Sequence, residues 1–284
     1  MDPSEEYVKR ILKVMIFIEE NIDEELTLSK LAKIACYSPF HFHRIFQAIA
    51  RETVHRYVKR LRMQIAAGKL RYTSISVTEI ALDASFETPS AFTKAFKQFM
   101  GSSPKSYRNL YSAIHITTQK IKELPMIQPD TIEKSMPELN LLFVRRNGNY
   151  VQSAGSAWQA MTDFIHKNHL SPSKVRCFGI SHDDPQVTNK ENLRYDAAIL
   201  APHEVKEKGE IGKQILKGGK YAIFTHHGSY DALEEVFNSI FLKWLPASHE
   251  TFDETRTVFC EYFNMEYVKI EAEKLNTKLY IPLR

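Results

Sequence analysis

The chain has 284 residues, enough for two domains of roughly 100–200 residues each. With 43% hydrophobic and 25% charged residues it is globular in composition, which excludes disordered, collagenous and coiled-coil chains. The net charge of +4 is unevenly spread: residues 39–110 hold 12 basic and 4 acidic side chains, a balance of +8, whereas residues 111–284 hold 21 and 22. Such a basic block is the footprint of polyanion binding. No apolar run reaches the ~18 residues of a membrane helix. The charged N-terminus, with no apolar segment behind a basic flank, reads as that of a cytoplasmic protein. The three cysteines (Cys36, Cys177 and Cys260) form no CxxC pair, so neither a disulfide framework nor a zinc site is expected.

In chain order, residues 5–20 place Val8, Ile11, Leu12, Met15, Ile16 and Ile18 at helical spacing. Ser38-Pro39, Thr88-Pro89 and Ser103-Pro104 each set a capping hydroxyl before a proline, and Ser76-Val-Thr-Glu79 is a capping box. Helices are predicted to start near 28, 39, 77, 89 and 104. The segment 28–46 (LSKLAKIACYSPFHFHRIF) matches 77–96 (VTEIALDASFETPSAFTKAF) with one inserted residue, pairing Tyr37 with Phe86, Phe42 with Phe92 and Phe46 with Phe96. Each copy reads as a helix-turn-helix. A helix at 53–71, with Val54, Val58, Leu61 and Ile65 on one face, joins them and leaves Arg56, Lys59, Arg60 and Lys69 available. Nineteen helical residues span about 28 Å, close to the ~34 Å of one DNA turn, so both second helices could enter successive major grooves.

Residues 110–130 lose helical periodicity and carry two prolines, which predicts a linker over 113–130 between domains at 1–112 and 131–284. Beyond it, strands are predicted at 139–146, 175–181, 195–200, 220–226, 257–263 and 277–283, with helices at 151–168 and 230–245. FVRRNGNY (143–150) matches IFTHHGSY (223–230), and ENLRYDAAI (191–199) matches EKLNTKLYI (273–281) at an offset of 82. The fold class is therefore multidomain: an all-α tandem helix-turn-helix domain, then an α+β domain of two strand-helix-strand-strand units with a groove along their pseudo-two-fold axis.

These motifs carry a resemblance. LAKIACYSPFHFHRIF, RLRMQIAAGKL and the closing GSSPKSYR resemble the DNA-binding domain of AraC/XylS-type transcriptional regulators over residues 5–109. RNGNY, GISHDDP, LRYDA, GGKYAIFTHHGSY, KWLP and CEYF resemble a GyrI-like small-molecule-binding domain over 131–284. The first resemblance implies base contacts from Phe40, His43 and Arg44, and from Pro89, Ser90, Ala91, Thr93 and Lys94. It also implies duplex DNA and RNA polymerase as partners. Arg44 suits O6 and N7 of guanine, and Phe40 suits a thymine methyl. The turn positions where the family often has glycine carry Cys36 and Ser85.

The second resemblance implies a glutamate in the ligand groove, which falls on Glu261, with 82-residue counterpart Gly179. Trp244 and Tyr195 are candidate aromatic walls, and His226 is a further candidate. A carboxylate in a poorly solvated groove favours a lipophilic cation. No metal or cofactor is expected: His41 and His43, at i and i+2, point apart on a helix, while LysGlyGlyLys (217–220) and Asp183-Asp184-Pro185 read as turns. Of His226 and His227, adjacent on a strand, one is expected inside and one outside. The expected function is a transcriptional regulator sensing a small-molecule effector. One alternative is a small-molecule hydrolase using Glu261 as base and a tyrosine such as Tyr195 as acid; another is a protein-interaction module.

Overall fold

A computed structural model of the protein describes residues 3–113, 118–171, 174–185, 188–202, 205, 209–253, 255–263 and 274–284. Residues 114–117 of the expected linker and Glu273 of the second repeat lie outside the described residues. The chain forms two compact units, divided between His115 and Ile116 apart from short segments near 186–188 and 208–212.

The first unit is built from α1 (Pro3–Glu20), α2 (Leu28–Ile34), α3 (Pro39–Ala50), α4 (Val54–Tyr72), α5 (Val77–Asp83), α6 (Pro89–Met100) and α7 (Pro104–Ala113). Their starts are set by hydroxyl caps. Thr27, Ser38, Thr53, Ser76 and Thr88 each accept a backbone N–H from three residues on, and Glu79 completes the capping box with Ser76. Each cap is worth about 1 kcal/mol.

The repeat is visible in the core. Phe42 packs edge-on against Phe46 and Phe46 against Tyr57; fifty residues later, Phe92 packs against Phe96 and Phe96 against Tyr107. Helix α4 serves both cores, giving Val54, Tyr57, Val58 and Leu61 to the first and Met63, Ala66, Ala67 and Leu70 to the second. Its buried stripe therefore drifts around the helix as it passes from one bundle to the other, and Ile65, expected inside, is 41% exposed. Arg60 and Lys69 are also not free for a ligand, because Arg60 is buried against Glu52 and Lys69 pairs with Asp83. The closing YR is explained as well. Tyr107 fills the second core, and Arg108 donates to the carbonyls of Leu70 and Ile75, where α4 ends.

Both helix-turn-helix turns end α2 and α5 in the same way. Cys36 N–H bonds the Lys33 carbonyl and Tyr37 N–H the Ala32 carbonyl; Ser85 and Phe86 repeat this on Leu82 and Ala81. This is the Schellman arrangement, whose residue after the cap is left-handed. Cys36 has φ 57° and Ser85 φ 60°. A Cβ is disfavoured there, so Cys36→Gly and Ser85→Gly should each stabilise the helical domain by about 1 kcal/mol, read as a raised denaturation midpoint. A lowered midpoint in both variants would show that the turns carry no such strain.

The second unit contains α8 (Thr118–Glu123), β1 (Thr131–Met136), β2 (Leu139–Asn147), α9 (Tyr150–Lys167), β3 (Cys177–Ser181), β4 (Arg194–Leu200), β5 (Gly212–Leu216), β6 (Gly219–His227), α10 (Leu233–Ser239), β7 (Phe259–Tyr262) and β8 (Asn276–Pro282). The strands form one sheet in the order β1-β6-β8-β7-β3-β4-β2-β5, with antiparallel pairing throughout the recorded ladders. The order is palindromic about the β7–β3 junction, where the pseudo-two-fold axis lies. Each repeat is longer than the expected strand-helix-strand-strand unit by one leading strand, and that strand pairs with the other repeat: β1 with β6, β5 with β2. β1 escapes sequence reading because it is largely exposed, with charged residues such as Glu133 and Lys134 in place of apolar alternation, and β5 because it is only five residues long and opens on Gly-Lys-Gln.

Helix α9 packs on β2 and β4. The helix expected at 230–245 is broken instead: a 3-10 turn leads into α10, and Ile240–Trp244 widens to a π turn. Pro246 accounts for the widening, since it has no N–H to donate and its ring crowds the carbonyl four residues back. LysGlyGlyLys forms the β5–β6 turn, with Gly219 at φ 125°.

Candidate functional site

The N-terminal turns of α3 and α6 carry all eight residues expected to meet DNA. Phe42 and Phe46 hold α3 inward, so Phe40 stands out from the surface, 74% exposed, and Arg44 lies exposed one turn on. The Arg44 guanidinium rests 5.9 Å from the Phe40 ring centre, a loose cation–π contact that solvates neither group fully. His43 is half-buried beside them, whereas His41 packs edge-on against Tyr37 and lies near Tyr7. The HxH pair is thus split between two environments, as its spacing requires. On α6, Pro89, Ser90, Ala91 and Lys94 are exposed and Thr93 is half-buried. The Thr93 hydroxyl donates to the Pro89 carbonyl at 2.8 Å, leaving only its lone pairs for a partner. The second helix therefore presents a smaller, less polar tip than the first.

In the second unit the ladders decide which side chains share a face, because directly paired residues project to the same side. Phe178 pairs with Glu261 and Ala198; Gly179 pairs with Cys260 and Ala197; Ser181 pairs with Tyr195. Glu261 is therefore on one face and Tyr195 on the other, on the side covered by α9. Trp244 packs against Phe224 at 5.0 Å in the core beneath the π turn, and His226 pairs with Thr277, itself opposite Tyr262. All three expected companions of Glu261 are on the helix-covered side, so the expected groove of Glu261, Trp244, Tyr195 and His226 does not exist as one site. The registers also correct the repeat alignment: Phe259 opposite Tyr280 repeats Phe178 opposite Ala198, so Glu261 corresponds to Ile180, not Gly179.

Glu261 is 3% exposed but not alone. Arg176 Nε donates to Oε1 at 2.7 Å and Nη2 to Oε2 at 3.1 Å, and the Tyr280 hydroxyl donates to Oε2 at 2.7 Å. Arg176 also lies over the Phe178 ring. The charge that was to attract a cationic ligand is compensated from within the chain. Nor can Glu261 and Tyr195 act as an acid–base pair, since the sheet separates them.

The same face holds a second buried carboxylate that sequence reading missed. Asp196 is fully buried; Arg145 grips it with Nε to Oδ1 at 2.7 Å and Nη2 to Oδ2 at 2.9 Å, while His182 Nε2 lies 2.6 Å and Gln214 Nε2 3.0 Å from Oδ2. Burial alone would raise its pKa, but Arg145 and His182 outweigh burial and hold the carboxyl well below the usual range. Asp183, expected in a simple turn, is buried and receives Arg194 through its backbone N, Nε and Nη2. His226 Nε2 lies 3.0 Å from the Ser229 carbonyl and ties down the turn after β6; it is half-buried, and His227 is exposed.

On the helix-covered side, near the axis, aromatic rings gather. The Trp158 indole N–H of α9 donates to the Tyr195 hydroxyl at 2.9 Å, and its ring meets Tyr262 edge-on at 5.8 Å. Tyr230 packs on Tyr262 at 5.2 Å from the second repeat. The Tyr195 and Tyr262 hydroxyls are 3.4 Å apart, directly over Gly179, where a Cβ would come within 2.5 Å of the first and 2.6 Å of the second. Glycine is thus required for the two tyrosines to meet. Burial pushes the Cys260 thiol up to about 12 and the Cys177 thiol to about 11, and raises Tyr195 and Tyr262 further above the usual phenol value, so these groups are neutral at pH 7. Trp158, Tyr230 and Tyr262 keep part of their surface exposed. Sequence reading missed Trp158, which lies within the helix expected at 151–168. Among the described residues no group of three or more His, Cys, Asp and Glu could hold a metal ion. No described helix is long and apolar enough to cross a membrane.

Comparison with known proteins divides the chain in the same way. Residues 130–284 match the GyrI-like small molecule binding domain, and residues 31–110 match a helix-turn-helix domain. The right origin-binding protein of Escherichia coli (strain K12) is 24% identical over 96% of this chain and 98% of its own length. The regulatory protein SoxS of Salmonella typhimurium is 28% identical over 36% of this chain and 95% of its own. Among solved structures, the AdpA DNA-binding domain in complex with a target DNA covers 38% of this chain and 98% of its own, at 27% identity and a TM-score of 0.37.

Proposed function

Because the chain belongs to the GyrI-like family and joins that domain to an AraC-type helix-turn-helix pair, we propose that it reads DNA through α3 and α6 under the control of a small molecule held in its second half. It is a DNA-binding transcriptional regulator. The observation that carries the reading of α3 is the exposed tip formed by Phe40, His43 and Arg44, held outward by the buried Phe42 and Phe46. Arg44 can bond O6 and N7 of guanine while Phe40 meets a thymine methyl. On α6, Pro89, Ser90, Ala91, Thr93 and Lys94 offer mostly apolar and backbone-directed contacts, with Lys94 supplying the charge. The role requires access to the chromosome, so the protein is read as cytoplasmic. RNA polymerase is a further proposed partner, on the AraC-type character of the N-terminal half. A binding role is the reading for the second half, since both Glu261 oxygens are engaged by Arg176 and Tyr280 rather than free to act as a base.

The test is selection of bound duplexes from a random pool by the full chain, followed by footprinting. A footprint of about two helical turns is expected, with affinity falling steeply as salt rises, because a +8 block releases counterions on binding. A footprint confined to one major groove would remove α6 from the reading.

The effector is proposed to stack on the Trp158–Tyr195–Tyr262–Tyr230 cluster, where phenol hydroxyls offer hydrogen bonds beside exposed ring surface. Among the described residues the contacts of these rings include no carboxylate, so the charge of a lipophilic cation would gain a cation–π attraction of about 0.5–2 kcal/mol there. A planar molecule that needs no counter-charge is the better match.

A further inference from the structure

We infer that the second unit contains another ligand site, separate from the aromatic cluster, and that it takes a small uncharged aromatic molecule carrying one hydroxyl or amide. The site is a cavity of about 260 Å³ beneath the π turn. Trp244, Ile132, Pro129 and Met126 form its apolar walls with Ala247, and Gln128, Ser248 and Glu250 are its polar residues. The volume lies just below the ~300 Å³ at which ligand pockets of ordinary size begin, which limits the occupant to about one ring system.

Three observations converge on it. First, the π turn that Pro246 imposes seats Trp244 at the floor of the cavity, where it is 3% exposed. Second, the opposite wall is held in place: the Lys243 ammonium, on the same π turn, donates to the Lys122 and Leu124 carbonyls, fixing the segment that continues into Met126, Gln128 and Pro129. Third, the charge is balanced. Lys220 donates to Oε2 of Glu250 at 2.5 Å, so a cationic ligand would compete with a resident ammonium and an anionic one would face the carboxylate. Among the described contacts the Gln128 amide is exposed and the second oxygen of Glu250 is not engaged by Lys220, so the rim can both donate and accept one hydrogen bond. A ring seated against the exposed Met126, with the nearly buried Trp244 closing the floor, gains sulfur contacts of a kind that favour aromatics over alkyl chains. The occupied site would touch residues 126–129, the last stretch of the connecting segment before β1.

The experiment titrates 4-nitrobenzyl alcohol into the full chain bearing Trp158→Phe, which leaves Trp244 as its one indole. Saturable quenching of Trp244 is expected, and Ala247→Phe, placing a ring into the cavity from an exposed lining position, should weaken it at least tenfold. In case Trp158→Phe disturbs the fold, benzyl alcohol binding to the chain with native Trp158 is followed by saturation-transfer NMR, where the same Ala247→Phe loss is expected. Quenching that never saturates, or binding that survives Ala247→Phe, overturns the proposal. Binding that survives Ala247→Phe but is lost in Tyr262→Ala would put the molecule in the aromatic cluster and overturn it equally.

Discussion

Arg44→Ala is expected to weaken binding to the selected operator about 10- to 100-fold, corresponding to about 1–3 kcal/mol, and to relax base choice at one or two positions. Arg44 is exposed, and its contact in the unbound protein is the loose one over Phe40, so its removal should leave the unfolding midpoint within about 0.5 kcal/mol of the starting protein. The loss is thus specific to the complex, where a bidentate guanidinium would be replaced by an unpaired guanine edge. Phe40→Ala should cost less and act at a thymine. Lys94→Ala, with a single ammonium at the tip of α6, should weaken binding more evenly across sequences and reduce the salt slope by about one. These outcomes are measured by titrating the operator and each single-base variant of it at fixed salt. A uniform loss across all variants for Arg44→Ala would make Arg44 a phosphate contact and refute base reading by that side chain.

The second large effect is one of stability. Asp196→Ala removes the carboxylate that Arg145, His182 and Gln214 converge on, and with it the bidentate ion pair of a nearly buried guanidinium. Breaking a buried pair from one side costs about 3–5 kcal/mol. For a domain of this size that is a fall of about 10 °C in the midpoint of the second unit. The double variant Arg145→Met/Asp196→Leu should recover much of it, because an apolar pair in the same space needs no desolvation of ions. The pH dependence has a definite sign. The Asp196 carboxyl is held below its unfolded value, so the stabilisation is fully present above about pH 5 and is lost as pH falls through and below about 4. Asp196→Ala should flatten that acid limb. Equal acid sensitivity of the two proteins, or a midpoint change under 2 °C, would show that the cluster contributes little. Both quantities come from thermal unfolding between pH 3 and 8.

The contrast between the two halves shows what a linear chain determines. In the first, hydroxyl-proline caps, a capping box and repeated aromatic residues are local signals, and each acts within one or two helical turns. The starts of α2, α3, α5, α6 and α7, the buried Phe42, Phe46, Phe92 and Phe96, and the outward tip of α3 follow from them. Even the strain at Cys36 and Ser85 is legible, because the Schellman turn fixes φ wherever the helix must stop. In the second half the sequence also yields the duplication and most strands, but not which faces meet. A strand's two faces alternate residue by residue, so an alignment offset of 82 where β7 requires 81 exchanges Ile180 for Gly179 as the partner of Glu261 and sends that side chain to the wrong face. The apolar surroundings of Glu261 were evident from its neighbours. That Arg176, 85 positions away, would neutralise it was not, because long-range pairing is decided by register and sheet order. The same holds for Asp196 with Arg145, for Trp158 over Tyr195, and for the exposed β1 and the short β5, which are placed only by the strands of the opposite repeat.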